Sequence, residues 1–192
     1  MLYKPLALFL LSNTITSLTC EWYGSGYGVD INCQPGWAAF GLCSSGSRAS
    51  CKDKNGGKYF YMLQCCKTKF QNYQQSNCQE AGHASGELSN CKSDDGYNQA
   101  IYGGCGSGRN NKCLVGGKFF TNAETCCDNG DISIADDADC GWKYGIFGDQ
   151  LTCPEGMVMS GICGSAGAEE CESGAVSSGT GIYCCPYSDN RN

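Results

Sequence analysis

The sequence predicts a mostly β, disulfide-rich fold made of three tandem six-cysteine modules. Three observations carry that reading. The 18 cysteines of this 192-residue chain fall into three sets of six with matching spacing. Its 28 glycines break the sequence into short apolar pieces bounded by turn signals, the pattern of strands. No stretch holds a 3.6-residue apolar period over three turns, as an amphipathic helix would require.

The cysteine sets come first. Set one is Cys20, Cys33, Cys43, Cys51, Cys65 and Cys66; set two is Cys78, Cys91, Cys105, Cys113, Cys126 and Cys127; set three is Cys140, Cys153, Cys163, Cys171, Cys184 and Cys185. In every set twelve residues separate the first two cysteines and seven separate the third from the fourth. The second gap is longer in module 2, which places an insertion near SDDGYNQA. Each set closes on an adjacent pair. Successive strand side chains point to opposite faces, so such a pair can send one bridge to each side of a strand. Six cysteines allow 15 pairings, and setting aside the three that join the doublet to itself leaves 12 open.

Glycines repeat in step with the cysteines. Gly28, Gly86 and Gly148 each lie eight residues after the first cysteine, and Gly41, Gly103 and Gly161 each lie two before the third. Fixed glycines predict backbone positions that need positive φ or close chain approach. QPGW at 34–37 and PEGM at 154–157 read as turns, and GGKYF and GGKFF as glycine pairs opening into aromatic strands.

The chain is therefore divided as follows. Residues 1–19, with Lys4 and the apolar run Leu6 to Leu11, read as a signal peptide cleaved just before Cys20 or a few residues earlier. Module 1 spans 20–66, a polar linker 67–77, module 2 78–127, an acidic linker 128–139, module 3 140–185 and a tail 186–192. Phe70 and Tyr73, or Ile132 and Ile134, give the linkers enough apolar character to pack as connecting strands. Two architectures fit: three beads on linkers, or three sheets closed around a pseudo-threefold axis as a β-prism.

Composition narrows the class. An even, dense set of cysteines behind a leader reads as a disulfide framework in a secreted, extracellular protein. With one histidine and no CxxC pair, a metal-finger reading fails. A net charge of −6 disfavours nucleic acid and membrane-lytic activity, and no later segment is long and apolar enough for membrane insertion.

Module 3 reads WKYGIFGD, CPEGMVMSG and GIYCC, and module 1 keeps Trp22, Gly28, Cys33, Pro35 and Gly36. This resembles the repeat of vitelline membrane outer layer protein I, a threefold β-prism secreted around eggs. The family lacks six cysteines per repeat. The cysteine doublets also resemble galaxins, proteins of coral skeletons. Both resemblances imply a secreted coat or matrix setting, and neither supplies catalytic residues.

Individual candidate sites read as structural. His83 is expected to be a solvated loop residue, since no nucleophile or orienting group is placed beside it. Gly24 to Gly28 lacks the Lys-Ser/Thr of a phosphate loop and reads as turn glycines. Asp128, Asp131, Asp136, Asp137 and Asp139 form a solvated acidic linker with a weak, delocalised attraction for calcium or mineral. Trp22, Tyr23, Tyr27, Trp37, Trp142, Tyr144 and Phe147 are expected to build the small module cores; exposed, they would stack on sugars.

Charge is uneven. Residues 20–77 carry six basic and three acidic side chains, whereas 128–185 carry one basic and ten acidic. That asymmetry raises the expectation of head-to-tail self-association.

The expected function is a non-enzymatic structural protein of an extracellular matrix or coat (skeletal or shell matrix, with biomineralization in view, an egg coat or mucus). No cofactor is expected beyond weak calcium association, and partners are matrix components, mineral or glycans. A multivalent lectin is the alternative. A protease inhibitor or toxin, using the segment 92–104 as its loop, is a third class.

Overall fold

The computed structural model describes residues 18–45, 51–67, 75–92, 99–107, 112–129, 132–135, 137–164, 171 and 179–189. The leader expected at 1–19 lies outside them except for Leu18 and Thr19.

Strands dominate, and the described residues contain no α-helix. Repeat 1 supplies β1 (Cys20–Ser25), β2 (Ile31–Asn32), β3 (Trp37–Ser44), β4 (Cys51–Lys52), β5 (Lys58–Tyr59) and β6 (Tyr61–Lys67). Repeat 2 supplies β7 (Gln75–His83), β8 (Ser89–Asn90), β9 (Ala100–Gly106), β10 (Cys113–Val115), β11 (Lys118–Phe120) and β12 (Asn122–Asn129). The acidic segment holds β13 (Ile132–Ile134) and a 3-10 turn at Asp137–Asp139. Repeat 3 supplies β14 (Gly141–Gly145), β15 (Leu151–Thr152), β16 (Met157–Gly164) and β17 (Thr180–Asp189).

In each repeat the doublet strand is central, flanked antiparallel by the first and third strands: β1–β6–β3, β7–β12–β9 and β14–β17–β16. Each sheet gains a further edge strand from another repeat. β2 pairs with β9, β8 with β16, and β15 with β3. Repeat 1 thus lends a strand to repeat 2, repeat 2 to repeat 3, and repeat 3 to repeat 1.

Three recurring features make these seams. β3, β9 and β16 each carry a register shift, at Phe40, Tyr102 and Ser160. The carbonyl freed there accepts the N–H of the visiting repeat's second cysteine. Cys33 N donates to Tyr102 O at 2.7 Å, Cys91 N to Ser160 O at 2.7 Å and Cys153 N to Phe40 O at 2.8 Å. A bulge that re-aims a carbonyl is the usual structural use of an extra residue. One residue beyond the bulge come Gly41, Gly103 and Gly161, where a Cβ would lie 2.5 Å from Leu151 O, 2.0 Å from Asn32 Oδ1 and 2.4 Å from Ser89 O.

The other repeated glycines share a positive φ, and at Gly28 a Cβ would also meet Lys112 of repeat 2. Gly28, Gly86 and Gly148 have φ of 65°, 75° and 89°, a region glycine enters freely. Their N–H groups also cross the seams, to Gly106 O, Gly164 O and Ser44 O. Gly116 and Gly117, both at positive φ, form the two-residue loop of the β10–β11 hairpin.

All 18 cysteines are paired, always within a repeat and always nested: first to sixth, second to fifth, third to fourth. The doublet sends its bridges apart. Cys66 reaches its register partner Cys20 on the neighbouring strand, while Cys65 reaches Cys33 beside the lent strand. Each bridge contributes on the order of 2–4 kcal/mol by constraining the unfolded chain. One apolar cluster draws on all three repeats, including Leu42, Leu63, Ile101, Ile162 and Ile182.

The acidic segment is partly strand. β13 pairs with the end of β17, which continues through the expected tail as far as Asp189. Ile134 is buried there, so an apolar residue in a polar stretch marks the strand.

Candidate functional site

Comparison of the repeats locates the site. At the position two residues before the second cysteine, repeats 1 and 3 bury Ile31 and Leu151; repeat 2 has Ser89. Three residues before the last cysteine they bury Leu63 and Ile182; repeat 2 buries Glu124, 1 % exposed. Five residues after the first cysteine stand Ser25 and Gly145; repeat 2 has His83. Two apolar-to-polar exchanges and a histidine therefore gather in one place, beside the apolar cluster.

Ser89 Oγ donates to Glu124 Oε1 at 2.6 Å, and His83 Nε2 lies 3.3 Å from the same oxygen. His83 is 5 % exposed at the end of β7, opposite Asn122. This corrects the expectation of a solvated loop residue. The sequence around His83 is polar and glycine-rich, and only the partner carboxylate, 41 residues later, explains its burial.

Tyr61 enters from repeat 1. Its ring lies under Gly104 and Gly106, where a Cβ would approach within 2.3 Å and 2.5 Å of it. Burial holds its phenol far above the ordinary range, reinforced by the Glu124 carboxylate and, more weakly, Asp30. Tyr61 Oη, His83 Nε2 and Glu124 Oε2 are buried without a hydrogen bond among the described residues.

The arrangement is not a hydrolytic relay. There the imidazole must stand between hydroxyl and carboxylate, whereas here Glu124 stands between Ser89 and His83. Cys91, Glu124 and Cys126 lie close enough to share a cation, but the two sulfurs are bonded to each other. Thiolates, not disulfides, ligate metals.

The linker aspartates are dispersed into separate contacts. Asp137 pairs with Lys92, which raises the lysine's pKa through the hydrogen bond and charge of that carboxylate. Asp128 accepts from Asn77 and Gln99. Asp139 is exposed, while Asp131 and Asp136 lie outside the described residues. A small polar pocket adjoins the Glu124 site, between β2, β7, β9, β10 and β12, lined by Asp30, Asn32, Glu80, Leu114, Glu124 and Thr125.

Aromatic residues divide between packing and surface. Trp37, Trp142 and Tyr23 pack against the shared cluster, and Trp22 against the Cys43–Cys51 bridge and Met62. Tyr27 is 51 % exposed but stacks on Phe60, with centroids 3.9 Å apart. Phe147 covers Gly179. Trp142 stacks on Tyr144 and touches Tyr183, leaving a half-buried aromatic face on β14.

Of the segment 92–104 suspected as an inhibitor loop, 93–98 lie outside the described residues, and Gln99 to Gly104 are buried. No protein-family profile and no curated protein matches the chain.

Proposed function

We propose that the protein is a secreted, non-enzymatic structural component of an extracellular matrix or coat, its three sheets closed as a pseudo-threefold β-prism. The observation that carries this reading is the division of labour between bonds. Three nested disulfides fix each repeat internally, nine in all, while backbone hydrogen bonds and one apolar cluster join the repeats. Such a particle resists proteolysis without needing a reaction centre, and so many disulfides suit an oxidising, extracellular setting. Its acidic end, with ten carboxylates between 128 and 185, adds a diffuse attraction for calcium, mineral or basic partners. No helix among the described residues is long and apolar enough to cross a membrane.

The test is extraction of the native extracellular material with denaturant, with and without reductant. Retention in the insoluble fraction until reductant is added supports the reading. Free release in plain buffer, with the oxidised protein cut by trypsin as fast as the reduced one, overturns it.

The Trp142–Tyr144 face favours a second reading, a carbohydrate-binding protein whose linked weak sites add avidity. A glycan array run with and without calcium decides it. A saccharide signal lost in a folded Trp142→Ala variant moves the assignment to a lectin.

A further inference from the structure

We infer that the seam from repeat 3 to repeat 1 is also the surface on which a second copy of this chain docks, by exchange of β15. The inference deepens the structural reading, since it supplies the bond by which such particles would join.

Each seam is the same heterologous contact, a donor strand on one repeat and a bulged acceptor strand on the next. Two of the three connect repeats that are neighbours in sequence. The third alone connects the first and last repeats, through the register pairs Leu151 with Leu42 and Thr152 with Gly41. Its further bonds are Cys153 N to Phe40 O at 2.8 Å, Gly148 N to Ser44 O at 3.0 Å and Gln150 Nε2 to Lys52 O at 2.7 Å. No disulfide crosses it, so it opens without breaking a covalent bond while every repeat stays oxidised.

A heterologous contact closes on itself or propagates, depending only on whether the donor is in the same molecule. Once opened, repeat 3 presents β15 and repeat 1 presents the edge of β3 with the Phe40 carbonyl. The pairings broken within one chain re-form between two chains, so exchange needs no new surface. Charge favours the partner as well. The donor end, residues 128–185, is strongly acidic and the acceptor end, residues 20–77, has a basic excess. Association between two such ends is faster at low salt.

The experiment is complementation between two oxidised variants. Gly41→Val blocks the acceptor, because its Cβ would lie 2.5 Å from Leu151 O, but leaves β15 intact. Leu151→Asp disables the donor, placing a charge in the shared cluster, but leaves β3 intact. Light scattering should give a monomer for each variant alone and a one-to-one heterodimer for the mixture. A mixture that stays monomeric overturns the inference. Where either variant fails to fold, native mass spectrometry of wild-type protein mixed with a tagged copy decides instead. Mixed dimers that grow with concentration and shrink with salt support exchange, and a monomer at all concentrations sinks it. A strict monomer would still leave matrix retention to be judged by extraction, so the two readings fail separately.

Discussion

Ser89 Oγ and Glu124 Oε1 make a 2.6 Å hydrogen bond where the other repeats hold Ile31 and Leu63, or Leu151 and Ile182. Repeat 2 has thus exchanged an apolar pair for a polar one inside the shared cluster. A hydrogen bond to a charged group contributes roughly 1.5–3 kcal/mol, and orphaning its buried partner costs a similar amount. Ser89→Ala should therefore destabilise by about 2 kcal/mol, seen as a lower midpoint in denaturant. The triple variant His83→Ser, Ser89→Ile, Glu124→Leu, which gives repeat 2 the residues of repeat 1 and leaves no buried imidazole without its carboxylate, should recover that loss, because well-packed apolar residues often replace buried polar pairs without penalty. Ser89→Ala and the triple variant of equal stability would refute the argument.

Tyr61 gives the opposite sign. Its hydroxyl is buried without a hydrogen bond among the described residues, beside the Glu124 carboxylate. Removing an unsatisfied buried polar atom is stabilising, by about 1 kcal/mol on the scale of such desolvation penalties. Tyr61→Phe should raise the thermal midpoint by a few degrees. A fall of that size would show that the hydroxyl has a partner.

How far the sequence spoke depends on whether the signal was local. The cysteine spacing made the three sets of six and the opposed bridges of each doublet legible, and the turn signals between short apolar pieces made the strands so. The nesting of bridges was not, because 12 pairings satisfied the spacing equally. Gly28 and Gly41 were legible as special positions but not distinguishable. Only Gly28 has a positive φ, while both lie against a different repeat, at Lys112 and at Leu151, contacts no spacing encodes. Strand lending escaped because two-residue strands such as Ser89–Asn90 are too short to show a period. The buried cluster left two usable signals, Glu124 against Leu63 and Ile182 and Ser89 against Ile31 and Leu151, each at a fixed offset from a cysteine. Both read as solvated polar residues unless the repeats are aligned position by position.

The seam glycines separate the two reasons for glycine. At Gly161 a Cβ would sit 2.4 Å from Ser89 O and 2.8 Å from Asn90 Oδ1, and backbone cannot yield as a side-chain end can. Gly161→Ala should cost about 1–3 kcal/mol, the range for overpacking, and loosen the β8–β16 seam. Gly26→Ala is the control, since no atom lies within 4 Å of its Cβ. Hydrogen exchange checks it. Faster exchange of the Cys91 amide, which donates to Ser160 O, is expected in Gly161→Ala and not in Gly26→Ala. Equal protection in both would show that the seam has room.

Asp53 sets a pH limit on the β4–β5 hairpin. Its Oδ1 accepts from Gly57 N at 2.7 Å and Asn55 N at 2.8 Å, and Tyr59 Oη donates to Oδ2 at 3.2 Å. The Gly57 N–H above all, with Asn55 and Tyr59, stabilises the carboxylate and lowers its pKa below the ordinary value. A depressed folded pKa means the stabilisation is fully present above the unfolded value, about 3.9, and is lost as pH falls through the folded one. Between those two values the hairpin should stay closed while unstructured aspartates are already protonated. Below the lower one the turn should loosen, with the Cys43–Cys51 bridge still holding its base. NMR titration of the Gly57 amide should show a midpoint below that of an unstructured aspartate, and Asp53→Asn should abolish the titration. A midpoint at or above the ordinary carboxylate value would mean that the three donors do not hold the charge.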